Sequence, residues 1–176
     1  TAFADQITGL DGNDTIFGSS AGDILSGDAG NDSIGGESGN DLIDGGAGTD
    51  TVFGEAGNDT IISSGGNDSI FGGDDADLIV ATANDPSGAY SFYADGGSGG
   101  TDNDTLDLSG LIADGWTVTS MTQNPEANGN PGFSGQISLS RGFESFNINY
   151  VDIENIRLTD LIVEGTAGAD VIDTAY

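Results

Sequence analysis

A branched aliphatic residue recurs at every ninth position from Ile16 to Ile79, within a stretch rich in glycine and small polar residues. Counted from Gly9, the stretch forms eight lines of nine residues: GLDGNDTIF, GSSAGDILS, GDAGNDSIG, GESGNDLID, GGAGTDTVF, GEAGNDTII, SSGGNDSIF and GGDDADLIV. Position 8 is always aliphatic, position 6 is always Asp, and position 1 is Gly in seven of the eight lines. The register does not slip before the last line ends at Val80.

This period predicts a solenoid of very short strands. One aliphatic residue with a neighbour on each side supports a strand whose centre points inward while its neighbours point outward. The glycine-rich half of each line turns the chain. Two lines per coil would place odd lines in one parallel sheet and even lines in the other. The aliphatic side chains would then meet between the sheets.

One aliphatic residue in nine buries too little apolar surface to offset the conformational entropy lost on folding. Stacked coils also bring the position 6 carboxylates side by side. The whole chain has two Lys and Arg residues and no His or Cys, so a side chain cannot neutralise each pair. Carboxylate and carbonyl oxygens are hard ligands that favour Ca²⁺ over transition metals. The pattern therefore predicts a calcium-binding solenoid.

The lines resemble the RTX, or haemolysin-type, calcium-binding repeat, whose nonapeptide is GGxGxDxUx. The resemblance implies an all-β fold: a right-handed parallel β-roll over residues 1–80, followed by a β-rich extension or cap. It also implies a calcium-binding structural module, a fragment of a larger bacterial protein that is secreted by the type I route and folds outside the cell. Domains covalently linked upstream and downstream are expected partners.

The resemblance further implies that each Ca²⁺ lies between a line and the line two further on. Six ions are expected, held by the carboxylate pairs Asp14/Asp32, Asp23/Asp41, Asp32/Asp50, Asp41/Asp59, Asp50/Asp68 and Asp59/Asp77. The first line of each site also contributes carbonyls at positions 1 and 3, namely Gly9, Asp11, Gly18, Ser20, Gly27, Ala29, Gly36, Ser38, Gly45, Ala47, Gly54 and Ala56. The second line contributes those at positions 2 and 4, namely Asp28, Gly30, Glu37, Gly39, Gly46, Gly48, Glu55, Gly57, Ser64, Gly66, Gly73 and Asp75.

The pattern continues imperfectly outside the eight lines. Asp5 and Ile7 fit a preceding line and suggest a seventh site, Asp5/Asp23. Residues 81–107 are interpreted as an insert, a loop or hairpin over 81–98, followed by a resumed repeat with Asp104 as a ligand. Residues 108–164 contain alternating runs that predict a β-rich capping segment. Residues 165–176 restart the nonapeptide, and no helix is expected anywhere.

Composition limits the function further. A net charge of −28 argues against nucleic acid as a partner, and no apolar run is long enough to span a membrane. Without His, the chain lacks serine, cysteine and zinc-hydrolase sites. The aspartates also repeat in identical settings, whereas acid–base catalysis needs contrasting ones. We therefore expect no enzyme activity.

A second reading is an extracellular carbohydrate-binding or surface-binding module, similar to an adhesin. The outward positions of the odd lines form a Thr and Phe ladder that suits a saccharide or ice, although such ladders also arise from cross-strand packing alone. Outward aliphatic residues on the even lines, including Ile24, Leu42 and Leu78, form a patch that should be covered. The expected cover is Tyr90, Phe92 and Tyr93, or the strands around Trp116 and Phe146.

Overall fold

The computed structural model describes residues 3–82, 89–99, 103–125, 132–158 and 162–164. Two eight-stranded sheets contain all the strands of this part of the chain. The even sheet has the order β1 (Gln6–Thr8), β3 (Ile24–Ser26), β5 (Leu42–Asp44), β7 (Thr60–Ser63), β9 (Leu78–Ala81), β11 (Thr105–Asp107), β15 (Asn155–Arg157), β16 (Ile162–Glu164). The odd sheet has the order β12 (Thr117–Pro125), β13 (Phe133–Arg141), β14 (Glu144–Ile153), β10 (Ala89–Asp95), β8 (Ser69–Asp74), β6 (Thr51–Ala56), β4 (Ser33–Ser38), β2 (Thr15–Ser20).

Within the repeats, each strand pairs in parallel with the strand two lines away. Ile16 lies opposite Ile34, and Leu25 lies opposite Ile43 in the other sheet. The partners are 18 residues apart, which is two lines of nine. The predicted all-β parallel roll, with odd lines in one sheet and even lines in the other, is confirmed.

The aliphatic residues at position 8 form the core between the sheets. All eight are at most 5% exposed, because each is the inward centre of its short strand. The core continues past the repeats through Leu106 and Ile156 in the even sheet and through Ala94 and Ile148 in the odd sheet. One hydrophobic core therefore runs through both the repeats and the segment C-terminal to them.

Part of the segment expected to be a loop or hairpin is a strand instead. Strand β10 pairs in parallel with β8 on one side and with β14 on the other. Phe92 and Ala94 point into the core, so inward and outward residues alternate as they do in any strand. The nine-residue period of the repeats is lost here. The antiparallel strands β12, β13 and β14 then extend the odd sheet. The restarted nonapeptide at 165–176 lies outside the described residues.

The expectation of no helix is wrong at one place. Helix α1 (Ser109–Ala113) follows β11 and buries Leu111 in the core. The Asp107 carboxylate accepts a hydrogen bond from the Ser109 N–H at 2.9 Å. Five residues are too few to produce a visible helical period, so the sequence pattern did not reveal this helix. No helix of the described residues is long and apolar enough to cross a membrane.

The expected aromatic cover of the even face is also wrong for the residues that the structure describes. Phe92, Phe146 and Trp116 lie inside the core, where the ring centroid of Phe146 is 5.8 Å from that of Phe92 and 5.9 Å from that of Trp116. Tyr93 contacts Phe71 on the odd sheet, at 5.7 Å between centroids. Ile24 and Leu42 stay 48% and 40% exposed. The side chain of Tyr90 lies outside the described residues.

Stacking of the coils predicts a strict glycine requirement at Gly30. Its φ is +147°, and an added Cβ would fall on the carbonyl oxygen of Gly12 in the adjacent coil. Gly30→Ala should therefore lower the free energy of unfolding by at least about 2 kcal/mol in thermal melts. Gly110→Ala is the control, because a Cβ there meets nothing within 4 Å. Equal melting curves for the two variants would contradict the stacking.

Candidate metal centre

The position 6 aspartates lie in the turns between the sheets. Position 6 precedes position 8 by two residues, so both side chains face the interior. From Asp23 to Asp77, these seven carboxylates are between 1% and 3% exposed. Asp104, in the resumed repeat, is fully buried. Burying so many carboxylates costs free energy unless each oxygen is satisfied.

From Asp23 onward, one oxygen of each carboxylate accepts a hydrogen bond from the neighbouring coil. The backbone N–H of Asp14 donates to Asp32 Oδ1 at 2.8 Å, and that of Asp23 donates to Asp41 Oδ1 at 2.7 Å. The same bond recurs at 2.7 to 3.0 Å between Asp32 and Asp50, Asp41 and Asp59, Asp50 and Asp68, and Asp59 and Asp77. The structure thus brings together every aspartate pair that the sequence predicted.

The other oxygen has no hydrogen-bond partner in six of these residues. In these six, the Oδ2 atom is buried; they are Asp14, Asp23, Asp32, Asp41, Asp50 and Asp59. Each lies beside the position 1 glycine of its own line: a Cβ on Gly9 would be 2.8 Å from Asp14 Oδ2. This packing explains why position 1 is glycine.

Burial disfavours the charged form of these carboxylates. It raises the pKa of Asp50 to about 6, an effect that the hydrogen bond from Asp32 opposes and the neighbouring carboxylates reinforce. Burial likewise raises the pKa of Asp59 to about 6, and it raises the pKa of Asp41 and of Asp68. A cation beside the unpartnered oxygens would relieve this cost.

The turns hold an unusual backbone. In seven of the eight lines, positions 2 and 4 have positive φ, including non-glycine residues such as Leu10 (74°), Glu37 (76°) and Glu55 (80°). Ser19 and Ala21, which depart from the repeat consensus, keep the same conformation at 88° and 87°. Positive φ in such residues costs about 1 to 3 kcal/mol each and persists where the surroundings impose it. Strain of this kind is typical of a ligand-binding turn.

The donor set fits a hard cation. Arg141 pairs with Glu144 at 2.8 Å and Arg157 with Asp107 at 3.2 Å, so both arginines form ion pairs outside the turns. Across the described residues, no three acidic side chains converge on one point. A bound cation would therefore complete its shell with backbone carbonyls or water, and both are common ligands of Ca²⁺.

A second row of hydrogen bonds, the asparagine ladder, was not predicted from the sequence. Asn31 Oδ1 accepts a hydrogen bond from the Thr49 N–H at 2.8 Å, and Asn58 Oδ1 accepts one from the Ala76 N–H at 3.0 Å. The asparagine side chains at position 5 thus accept hydrogen bonds from the coil that follows in the chain. The aspartate Oδ1 atoms accept theirs from the coil that precedes. The frequency of Asn at position 5 was the available signal.

The edge of the roll that carries the aspartates of the even lines, here called the even edge, extends beyond the repeats. The Asp77 N–H donates to Asp104 Oδ1 at 2.7 Å, and the Asp104 N–H donates to Glu154 Oε2 at 2.5 Å. Glu154 was also missed, because nearly fifty residues separate it from the resumed repeat. An acid two residues before the inward Ile156 was the only local signal. At the other end, the Asp5 N–H donates to Asp23 Oδ1 at 2.6 Å.

Comparison with known proteins agrees with this geometry. The family model of the RTX calcium-binding nonapeptide repeat matches four times, at residues 1–34, 17–52, 26–61 and 53–85. No curated protein matches the chain. A unit with one aspartate and one aliphatic residue per nine positions, stacked into parallel sheets, is what this repeat family forms. Residues 1–85 are therefore RTX calcium-binding nonapeptide repeats.

Proposed function

We propose that residues 1–80 are a roll that folds when Ca²⁺ binds between its coils, continued by an insert and resumed repeat at 81–107 and a β-rich cap at 108–164. The observation that carries the proposal is the set of six buried carboxylate oxygens without a hydrogen-bond partner, in a chain with two basic residues. Ca²⁺ would supply the missing positive charge, and the carboxylate and carbonyl oxygens of neighbouring coils would hold it.

The chain's own residues would hold the ions in two rows, one along each edge of the roll. Asp14, Asp32, Asp50 and Asp68 line one edge, with hydrogen bonds joining each to the next. The Asp23 series lines the other, which also includes the candidate pairs Asp5/Asp23 and Asp77/Asp104. The carbonyls at positions 1 to 4 of each line would complete the shells. Six ions between the repeat pairs are the proposed minimum.

The proposed consequence is a folding switch. Without Ca²⁺, stacked like charges and a net charge of −28 oppose the compact state. The chain would then stay unfolded where Ca²⁺ is scarce and fold outside the bacterial cell. RTX repeats are typical of secreted bacterial proteins, which supports folding outside the cell. No catalysis is proposed, because the repeated carboxylates share one environment.

Circular dichroism in EDTA and then in excess CaCl₂ tests the proposal. We expect a disordered spectrum in EDTA and a β-rich spectrum in Ca²⁺. Asp41→Asn should raise the Ca²⁺ concentration at the folding midpoint by about threefold to tenfold, because Asp41 belongs to two pairs. Glu37→Gln removes the same charge from an exposed side chain and should leave the midpoint nearly unchanged. Superimposable β spectra in both conditions would contradict the proposal.

A second candidate function, saccharide or surface binding, is favoured by one feature of the odd sheet. Phe53 and Phe71 stack with their centroids 4.9 Å apart, and Tyr93 extends this row. Beside Phe53 and Phe71, an open cavity of about 300 Å³ is lined in part by Glu55 and Asp74. Aromatic surface with a few polar groups is typical of small-ligand sites.

A glycan array probed with the Ca²⁺-loaded protein tests this second function. We expect binding to a saccharide that Phe71→Ala reduces at least about tenfold, because the substitution removes the centre of the aromatic row. Phe143→Ala is the control, since Phe143 is fully exposed on the β13–β14 turn. Signals at background for the unmodified protein would leave the module purely structural.

A further inference from the structure

Ser63 is the one position 1 residue among the eight lines that is not glycine. Its side chain is 4% exposed, and its hydroxyl donates a hydrogen bond to Asp68 Oδ2 at 2.6 Å. Asp68 is the position 6 aspartate of the same line. This oxygen corresponds to the Oδ2 atoms that have no hydrogen-bond partner in Asp14, Asp23, Asp32, Asp41, Asp50 and Asp59. A serine hydroxyl thus satisfies the oxygen that elsewhere is open to a cation.

The space beside Oδ2 explains why this requires a local change of the turn. A Cβ on Gly18 would be 2.5 Å from Asp23 Oδ2, and one on Gly45 would be 2.9 Å from Asp50 Oδ2. Both distances are too short for the repeat turn to accept a side chain. Ser63 therefore cannot occupy an unaltered turn.

The backbone of this line differs from the others accordingly. Positive φ falls on positions 3 and 4, at Gly65 (135°) and Gly66 (105°), instead of positions 2 and 4. Strand β7 also includes Ser63, whereas β3 and β5 end at position 9. Ser63 pairs with Ala81 in the next coil of the sheet. The chain stays extended for one more residue before it turns, which makes room for the serine side chain.

Asp68 also stands at the end of its row. Its Oδ1 accepts the hydrogen bond of the preceding coil, from the Asp50 N–H at 3.0 Å. In the next strand of the sheet, β10, Tyr93 pairs with Ser69, so Phe92 follows Asp68 in the stack and offers no carboxylate for a further pair. On the even edge, by contrast, the row continues from Asp77 to Asp104 and Glu154.

We propose that Ser63 caps the calcium row of the odd edge, the edge lined by Asp14, Asp32, Asp50 and Asp68, at the point where no further carboxylate follows Asp68. Its hydroxyl takes the place of an ion at Asp68 Oδ2, so Asp68 helps to bind one ion, with Asp50, whereas interior aspartates help to bind two. Ser63 is a positioning residue here and not a ligand. This inference rests on the proposed calcium function.

The test counts bound ions by native mass spectrometry at saturating CaCl₂ and measures melting temperatures. Asp50→Asn should lose two ions and Asp68→Asn one. Ser63→Ala should keep the full ion count but melt about 2 to 10 °C lower, because a buried carboxylate oxygen loses its donor. Ser33→Ala, which removes an exposed hydroxyl at an outward position of β4, is the control and should alter neither quantity.

Two results would overturn the inference. Loss of one ion in Ser63→Ala would make the hydroxyl a ligand, and an unchanged melting temperature would make its hydrogen bond irrelevant. If Ser63→Ala does not fold, equal ion losses in Asp50→Asn and Asp68→Asn decide against it. An Asp50→Asn protein that binds as many ions as the unmodified chain would instead refute the calcium sites themselves.

Discussion

Burial of charged carboxylates, stacked so that they also repel one another, is the constraint on which this structure depends. The roll places an aspartate in every turn, and from Asp23 onward each Oδ1 accepts a backbone hydrogen bond from the coil behind. That bond holds neighbouring carboxylates in register and leaves Oδ2 buried beside glycine. Each line contributes one aliphatic residue to the hydrophobic core. The free energy gained by burying it is too small to offset the cost of the buried, mutually repelling carboxylates. A cation from solution is the remaining source of stabilisation.

The same constraint explains the composition of the repeat. Position 6 must share the inward face of position 8, so the two are separated by one outward residue. Position 1 must be glycine wherever Oδ2 stays open, and Ser63 shows the structural change that a side chain there requires. The asparagine ladder fixes coil spacing without charge. Positions 1, 6 and 8 of the nonapeptide thus follow from packing around the carboxylate.

The sequence predicted most of the roll and less of the segment C-terminal to it. Two lines per coil and the aspartate pairs could be predicted because a fixed period specifies both strand register and turn position. Strand β10 could not, since Ala89–Asp95 has the alternation of a strand but its partners, β8 and β14, are set by tertiary packing. Glu154 was missed for the same reason: its place beside Asp104 depends on how strands β12 to β14 return the chain. Helix α1 was too short for periodicity to reveal.

The most direct measurement is a crystal structure of the protein grown in CaCl₂, with anomalous difference maps collected to locate calcium. The account predicts peaks about 2.3 to 2.6 Å from Oδ2 of Asp14, Asp23, Asp32, Asp41, Asp50 and Asp59. It predicts none at Asp68 Oδ2, where the Ser63 hydroxyl should remain in place. A folded roll whose Asp14 to Asp59 carboxylates have no calcium beside them would contradict the account.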